Sequence, residues 1–90
     1  MFDYDFTDEL KAIIKKLNKK DKKLSLIIAK KIKDIINNDL ETIEHYKNLR
    51  YGLKDRKRVH IDKHFVLCFR VDKKNNFILF TDFEHHDKVY

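Results

Sequence analysis

The sequence predicts an α+β fold in which a helical hairpin packs on one face of a largely antiparallel sheet, in the order β-α-α-β-β-β. Three observations carry this. Apolar residues recur every second position in residues 2–6, at helical spacing from Leu10 to Ile36, and every second position again from Asp55 onward. Proline is absent, Gly52 is the only glycine, and neither a repeat nor a low-complexity linker interrupts the 90 residues. The chain therefore reads as one domain spanning residues 1–90.

Phe2, Tyr4 and Phe6 alternate with Asp3 and Asp5, the pattern of a strand with one buried face. Thr7 is placed to cap a helix whose first turn carries Asp8 and Glu9, where the helix dipole favours negative charge. Leu10, Ile13, Ile14 and Leu17 follow at helical spacing, and this helix should end near Asn18 to Lys20. Asp21 can start a second helix with an apolar stripe of Leu24, Ile27, Ile28, Ile32, Ile35 and Ile36, stopped by Asn37-Asn38. Residues 39–54 show no clear period, and Leu40, Ile43, Tyr46, Leu49 and Leu53 are expected to anchor a turn or irregular connection. Next, Lys57, Val59 and Ile61 alternate with Arg56, Arg58 and His60. A turn at Asp62-Lys63-His64 leads into the dense apolar run Phe65–Val71, and a turn over residues 72–76 leads into a last strand, Phe77–Phe83. Phe65, Phe69, Phe77 and Phe80 read as core, because no glycine-rich aromatic signature of an RNA-recognition motif surrounds them.

Composition narrows the function classes. Hydrophobic residues make up 42% of the chain, with seven Phe and four Tyr, which is enough for a packed core and argues against disorder. Cys68, the one cysteine, lies inside an apolar run and reads as a small core residue, so no disulfide framework is expected. The acidic start, Met1-Phe2-Asp3-Tyr4-Asp5, is unlike a signal peptide, and no apolar run is long enough to span a membrane. A soluble, cytoplasmic protein is expected. The net charge of +6 is unevenly placed: residues 11–33 hold ten lysines against one acid, and residues 47–63 hold seven bases against two. Lysine on the outer faces of helices accounts for the first block. The second block suits a polyanion.

Strand parity explains why. Arg56, Arg58 and His60 fall on one face of a strand, about 7 Å between successive members, a spacing close to that of adjacent phosphates on a single strand. Arginine binds phosphate bidentately and can stabilise charge developing on it, and histidine moves a proton near neutral pH. A solvated edge strand would also be charged, but mixed charge would serve that purpose and a histidine beside arginines would not be needed. Histidines 45, 60, 64, 85 and 86 lack the paired spacing of a zinc site, and His85 and His86 would point opposite ways if extended. A nuclease without metal or other cofactor fits better, with one group taking the 2′-OH proton, another protonating the 5′-oxygen and arginines neutralising the phosphate. Tyr90 could plug the core, stack on a base or move a proton, and the residues alone favour the plug.

The order and spacing of these segments resemble the RelE/YafQ branch of toxins from type II toxin–antitoxin systems, within the RelE/ParE superfamily. The resemblance covers nearly the whole chain and is clearest from Leu49 to Tyr90: a basic segment, a strand ending in His60-Ile61, then Phe65–Val71, then Phe77–Phe83, then His86 with Tyr90 four residues later. It implies a RelE-like fold and a ribosome-dependent endoribonuclease that cleaves translated mRNA and is neutralised by a RelB-like antitoxin wrapped around it. His60 matches a histidine of YafQ-like toxins and a lysine of RelE-like ones, Arg58 a second basic position, His86 the C-terminal catalytic histidine, and Tyr90 a C-terminal aromatic at the cleaved phosphate. The implied catalytic set is His60, His86, His64, Arg58 and Tyr90, and Arg56, Arg58, Lys54, Lys57, Arg50 and Arg70 are expected to bind RNA phosphate. The chain departs from the pattern at three places: His64 stands where YafQ-like toxins have aspartate, and Val66 and Glu84 stand where RelE-like toxins have arginines. ParE-like toxins share the fold and bind DNA gyrase instead, so a non-enzymatic gyrase inhibitor is the alternative reading, beside a plain RNA-binding module.

Overall fold

In the computed structural model, which describes residues 1–48 and 56–85, Thr7 divides strand β1 (Asp3–Phe6) from helix α1 (Asp8–Lys20). Its hydroxyl oxygen accepts the Leu10 N–H at 3.3 Å and the same hydroxyl donates to the Thr81 carbonyl at 3.0 Å. One side chain thus caps the helix and ties it to the sheet. Asp21 repeats the arrangement for helix α2 (Lys22–Ile36): its carboxylate accepts the Leu24 N–H at 3.1 Å while its own N–H reaches the Leu17 carbonyl at 2.8 Å. With one residue between the helices, the chain reverses sharply and the predicted hairpin forms. The Asn38 amide donates to the carbonyls of Asp34 and Ile35 at 2.9 and 3.0 Å and closes α2.

Leu24, Ile28, Ile32, Ile35 and Ile36 are buried, whereas Leu26, off the stripe, is exposed. Each buried aliphatic side chain contributes roughly 1.5–3 kcal/mol of transfer free energy. The helices meet one face of a five-stranded sheet, ordered β1-β5-β4-β3-β2, with β2 at Lys47–Asn48, β3 at Arg56–Ile61, β4 at Phe65–Asp72 and β5 at Phe77–His85. β1 runs parallel to β5, and the other pairs are antiparallel. The core joins Leu10 and the α2 stripe to Ile61, Leu67, Phe69, Ile78, Phe80 and Phe83.

Two features were not predicted. β2 (Lys47–Asn48) is two residues long, too short to display a period, and it arises from the stretch expected to be irregular. Ahead of it, a 3₁₀ turn (Thr42–His45) buries Ile43 completely, and Tyr46 meets the Phe69 ring edge-on at 5.7 Å. Leu40, expected as an anchor, is half exposed, and Leu49 and Leu53 lie outside the described residues. The second feature is a bulge in β5. Cys68 opposes Asp82 and Phe69 opposes Phe80, so Thr81 is the extra residue, and its hydroxyl donates to the Cys68 carbonyl at 3.3 Å. Phe80 and Phe83 have opposite parity in the sequence, and the bulge lets both enter the core.

That phase change also decides which residues face away from the helices. Before the bulge they are Phe77 and Leu79, and after it Asp82 and Glu84. Phe77, expected in the core, is therefore only half-buried and lies on the distal side, because its neighbour Ile78 takes the core position. The turns before β4 and β5 use Asp62 and Asn76 at φ 56° and 53°, a left-handed conformation that short polar side chains tolerate.

Candidate nucleic-acid interface

The face of the sheet away from the helices carries the polar chemistry. On β3 the predicted parity holds: Ile61 is buried and Val59 packs against the core, while His60 is exposed and Arg56 and Arg58 are half-buried. The register extends this row sideways, because residues directly opposite on antiparallel strands share a face. Arg56 faces Arg70 on β4, and Arg58 lies between Lys47 on β2 and Cys68 on β4. Lys47 is thus an exposed cation of the same face that sequence reasoning missed. Its signal was its place eleven residues before Arg58, legible only once β2 is known to pair with β3.

Across β4 the sign of the charge reverses. Cys68 faces Asp82, and Val66 lies between His60 and Glu84. Cys68 and Val66 are buried although neither belongs to the main core. Burial, aided by the nearby negative charges of Asp82 and Glu84, pushes the Cys68 thiol up to about 11, and Arg56 and Arg58 offset only part of this. The thiol stays protonated at neutral pH and is no nucleophile. The Nε of Arg58 is shielded from solvent at the centre of the face.

Lys57 departs from its expected role. Expected among the phosphate-binding cations, it instead has the parity of Val59 and Ile61 and is 3% exposed. Its ammonium donates to the Tyr46 carbonyl at 3.2 Å and to Asn48 Oδ1 at 3.0 Å, with Glu44 Oε2 at 3.5 Å. Glu44 also pairs with Lys73. The Lys73 hydrogen bond and the charges of both lysines hold the Glu44 carboxyl below its usual range. Lys57 is a structural cation that fastens the 3₁₀ turn and β2 to the sheet.

At the far end of the strands His64, in the turn after β3, lies parallel to His85, the last residue of β5, with ring centroids 6.1 Å apart and planes at 11°. Phe65 meets the edge of His85 at 5.7 Å and stacks on Phe83 at 5.0 Å. Two imidazoles thus come together from positions 21 residues apart in the chain. Arg50, Lys54, His86 and Tyr90, named with them from the sequence, lie outside the described residues. Among the described residues no three His, Cys, Asp or Glu side chains are grouped as metal ligands, and no helix is long and apolar enough to cross a membrane.

No family model matches the chain. A curated protein of Methanocaldococcus jannaschii named "Putative toxin RelE4" is 48% identical over 90 residues, covering all of this chain and 92% of that one. The chain belongs to the RelE toxin family. An uncharacterized protein of Methanosarcina mazei is 41% identical over the full length of both chains. Among solved structures the YoeB-YefM complex from Staphylococcus aureus shares the fold at a TM-score of 0.74, with 23% identity over 96% of this chain and 98% of that one. YafQ from E. coli strain BL21(DE3) follows at 0.73, with 15% identity over 100% and 99%. The chain is accordingly a RelE-like toxin of a toxin–antitoxin system. Where RelE-like toxins are expected to carry arginines, this RelE family member places Val66 and Glu84 on the same face as Arg58 and His60. Among the described strand residues, the cations of the face consequently lie on β2 and β3 and at Arg70.

Proposed function

We propose that this toxin is a ribosome-dependent endoribonuclease that cleaves translated mRNA without a metal ion. The observation that carries the reading is the row Arg56, Arg58 and His60 on one exposed side of β3, flanked by Lys47 and Arg70. In the reaction the 2′-oxygen attacks the neighbouring phosphorus and the bond to the 5′-oxygen breaks, leaving a cyclic phosphate and a 5′-hydroxyl. His60 and His86 share the two proton transfers and His64 assists. Arg56 and Arg58 bind the phosphate and neutralise its developing charge, and Tyr90 stacks or donates at the cleaved bond. Asp82 and Glu84 repel the RNA backbone from the part of β5 that follows the bulge and so steer it toward β2 and β3. An antitoxin covers this cationic surface in the resting complex, in the cytoplasm; the likeness to a toxin solved in the YoeB-YefM complex supports such a partner.

The test is to map mRNA ends after brief induction, for translated and untranslated versions of one transcript. Cuts confined to the translated message are expected, and His60→Ala or His86→Ala should each slow cleavage by roughly 10²–10⁴-fold with RNA affinity changed far less. Blocked DNA supercoiling with intact mRNA would instead identify a gyrase inhibitor. Full activity in both alanine variants would leave only an RNA-binding module.

A further inference from the structure

The row along β3 does not stop at Arg56. Arg56 and Arg70 stand directly opposite each other on the distal face, so a phosphate placed there meets two guanidinium groups from adjacent strands. Beyond Arg70 the same row continues to Leu79, and the next residue of β5 on that face is Phe77. Both are half-buried, so an aromatic ring and an aliphatic side chain form an accessible floor.

That floor belongs to a cavity of about 620 Å³ at the turn between β4 and β5, within the roughly 300–1,000 Å³ that holds a small organic group. Arg70, Lys73 and Lys74 line it together with Val71 and the buried Lys57, which come from the helix-facing side of the sheet, and its two carboxylates, Glu44 and Asp72, are both engaged. Glu44 binds Lys57 and Lys73. Asp72 accepts the Asn75 backbone N–H at 3.2 Å and its side-chain amide at 2.8 Å, which lowers its pKa. The lining therefore keeps a cationic excess around an apolar floor. An apolar, partly aromatic floor beside arginine and lysine is what a nucleobase and its phosphate require together.

We propose that this cavity is a second subsite for single-stranded RNA: the base stacks on Phe77 over Leu79, and its phosphate lies between Arg56 and Arg70. The inference rests on the nuclease reading, which sets the scissile phosphate at Arg58 and His60. One step of about 7 Å along β3 then carries the backbone to Arg56, and the next nucleotide enters the cavity. The subsite selects a flanking unpaired nucleotide and takes no part in proton transfer.

The experiment uses the full chain and a fluorescein-labelled 2′-O-methyl octauridylate, which cannot be cleaved, in anisotropy titrations over a range of salt. Phe77→Leu keeps an apolar side chain but loses the stacking face, and should weaken binding on the order of tenfold. Phe77→Tyr, which keeps the ring, should bind as wild type. Arg70→Gln should reduce the slope of log affinity against log salt by about 0.7, the loss of one phosphate contact on a single strand. Equal affinities for Phe77→Leu and Phe77→Tyr, or an unchanged slope in Arg70→Gln, would overturn the subsite. A glutamate-rich peptide is titrated alongside: if its binding, and not that of RNA, depends on Phe77 and Arg70, the cavity serves an acidic protein segment and the proposal is wrong. Loss of octauridylate affinity in Phe77→Leu together with undiminished cleavage in His60→Ala would sink the catalytic assignment while leaving the subsite standing.

Discussion

Replacing Lys57 by methionine separates the two roles that a lysine on a basic strand can have. The side chain is 3% exposed, and its ammonium makes hydrogen bonds of 3.2 and 3.0 Å to Tyr46 and Asn48 with Glu44 at 3.5 Å. Methionine fills nearly the same volume, so little cavity forms and the cost comes from the polar groups left behind. Each hydrogen bond from a charged donor is worth roughly 1.5–3 kcal/mol, and removing a buried ammonium recovers part of that as relieved desolvation. Glu44 is about half exposed and keeps Lys73, so its loss of one partner counts for little. The net expectation is a destabilisation of about 1–3 kcal/mol, read as a fall in the urea midpoint at an unchanged slope. The slope of log RNA affinity against log salt should not move, because the Lys57 ammonium is held by Tyr46, Asn48 and Glu44 and neutralises no phosphate. Stability within about 0.5 kcal/mol of wild type, together with a salt slope reduced by about 0.7, would refute the structural role and return Lys57 to the phosphate-binding set.

Two further outcomes follow from the charges around β4. The Cys68 thiol, raised to about 11 from an ordinary 9.0, should resist alkylation at pH 8 in the folded protein and react once urea unfolds it. The folded state binds the proton more tightly than the unfolded one, so this group's contribution to stability is fully present below pH 9 and declines as pH rises from about 9 to 11. Urea midpoints of wild type and Cys68→Ala across that range would show it; parallel pH profiles would contradict it. Glu84→Gln removes a negative charge from the proposed RNA face and should raise octauridylate affinity by roughly two- to fivefold at low salt, with the gain vanishing at high salt as screening shortens. An affinity that falls or stays level would show that the RNA does not cross this face.

Much of the fold was legible because it depends on local physics. Thr7 and Asp21 announce helix starts through their side-chain acceptors, and the α2 stripe follows from helical geometry alone. The strand pattern of residues 56–61 likewise separates Arg56, Arg58 and His60 from Val59 and Ile61 in the sequence as it does in the structure. Lys57 shares the side of Val59 and Ile61, away from the cationic row. The buried partners that make this lysine acceptable in the interior come from the segment that runs from the 3₁₀ turn through β2, which carries no periodic signal.

Phe77 shows the opposite limit. It shares the parity of Phe83, so a regular strand would put both on the core side, and only the bulge at Thr81 separates them and leaves Phe77 on the outer face. Sequence by itself determined the fold class, the helical hairpin and the cationic row on β3, because each follows from interactions within a few residues along the chain. Tertiary structure decided that Lys47 and Arg70 join that row, that Asp82 and Glu84 bound it, and that His64 lies beside His85. Those placements depend on the register between strands distant in sequence, and register is chosen by packing the whole core, a condition that no single segment contains.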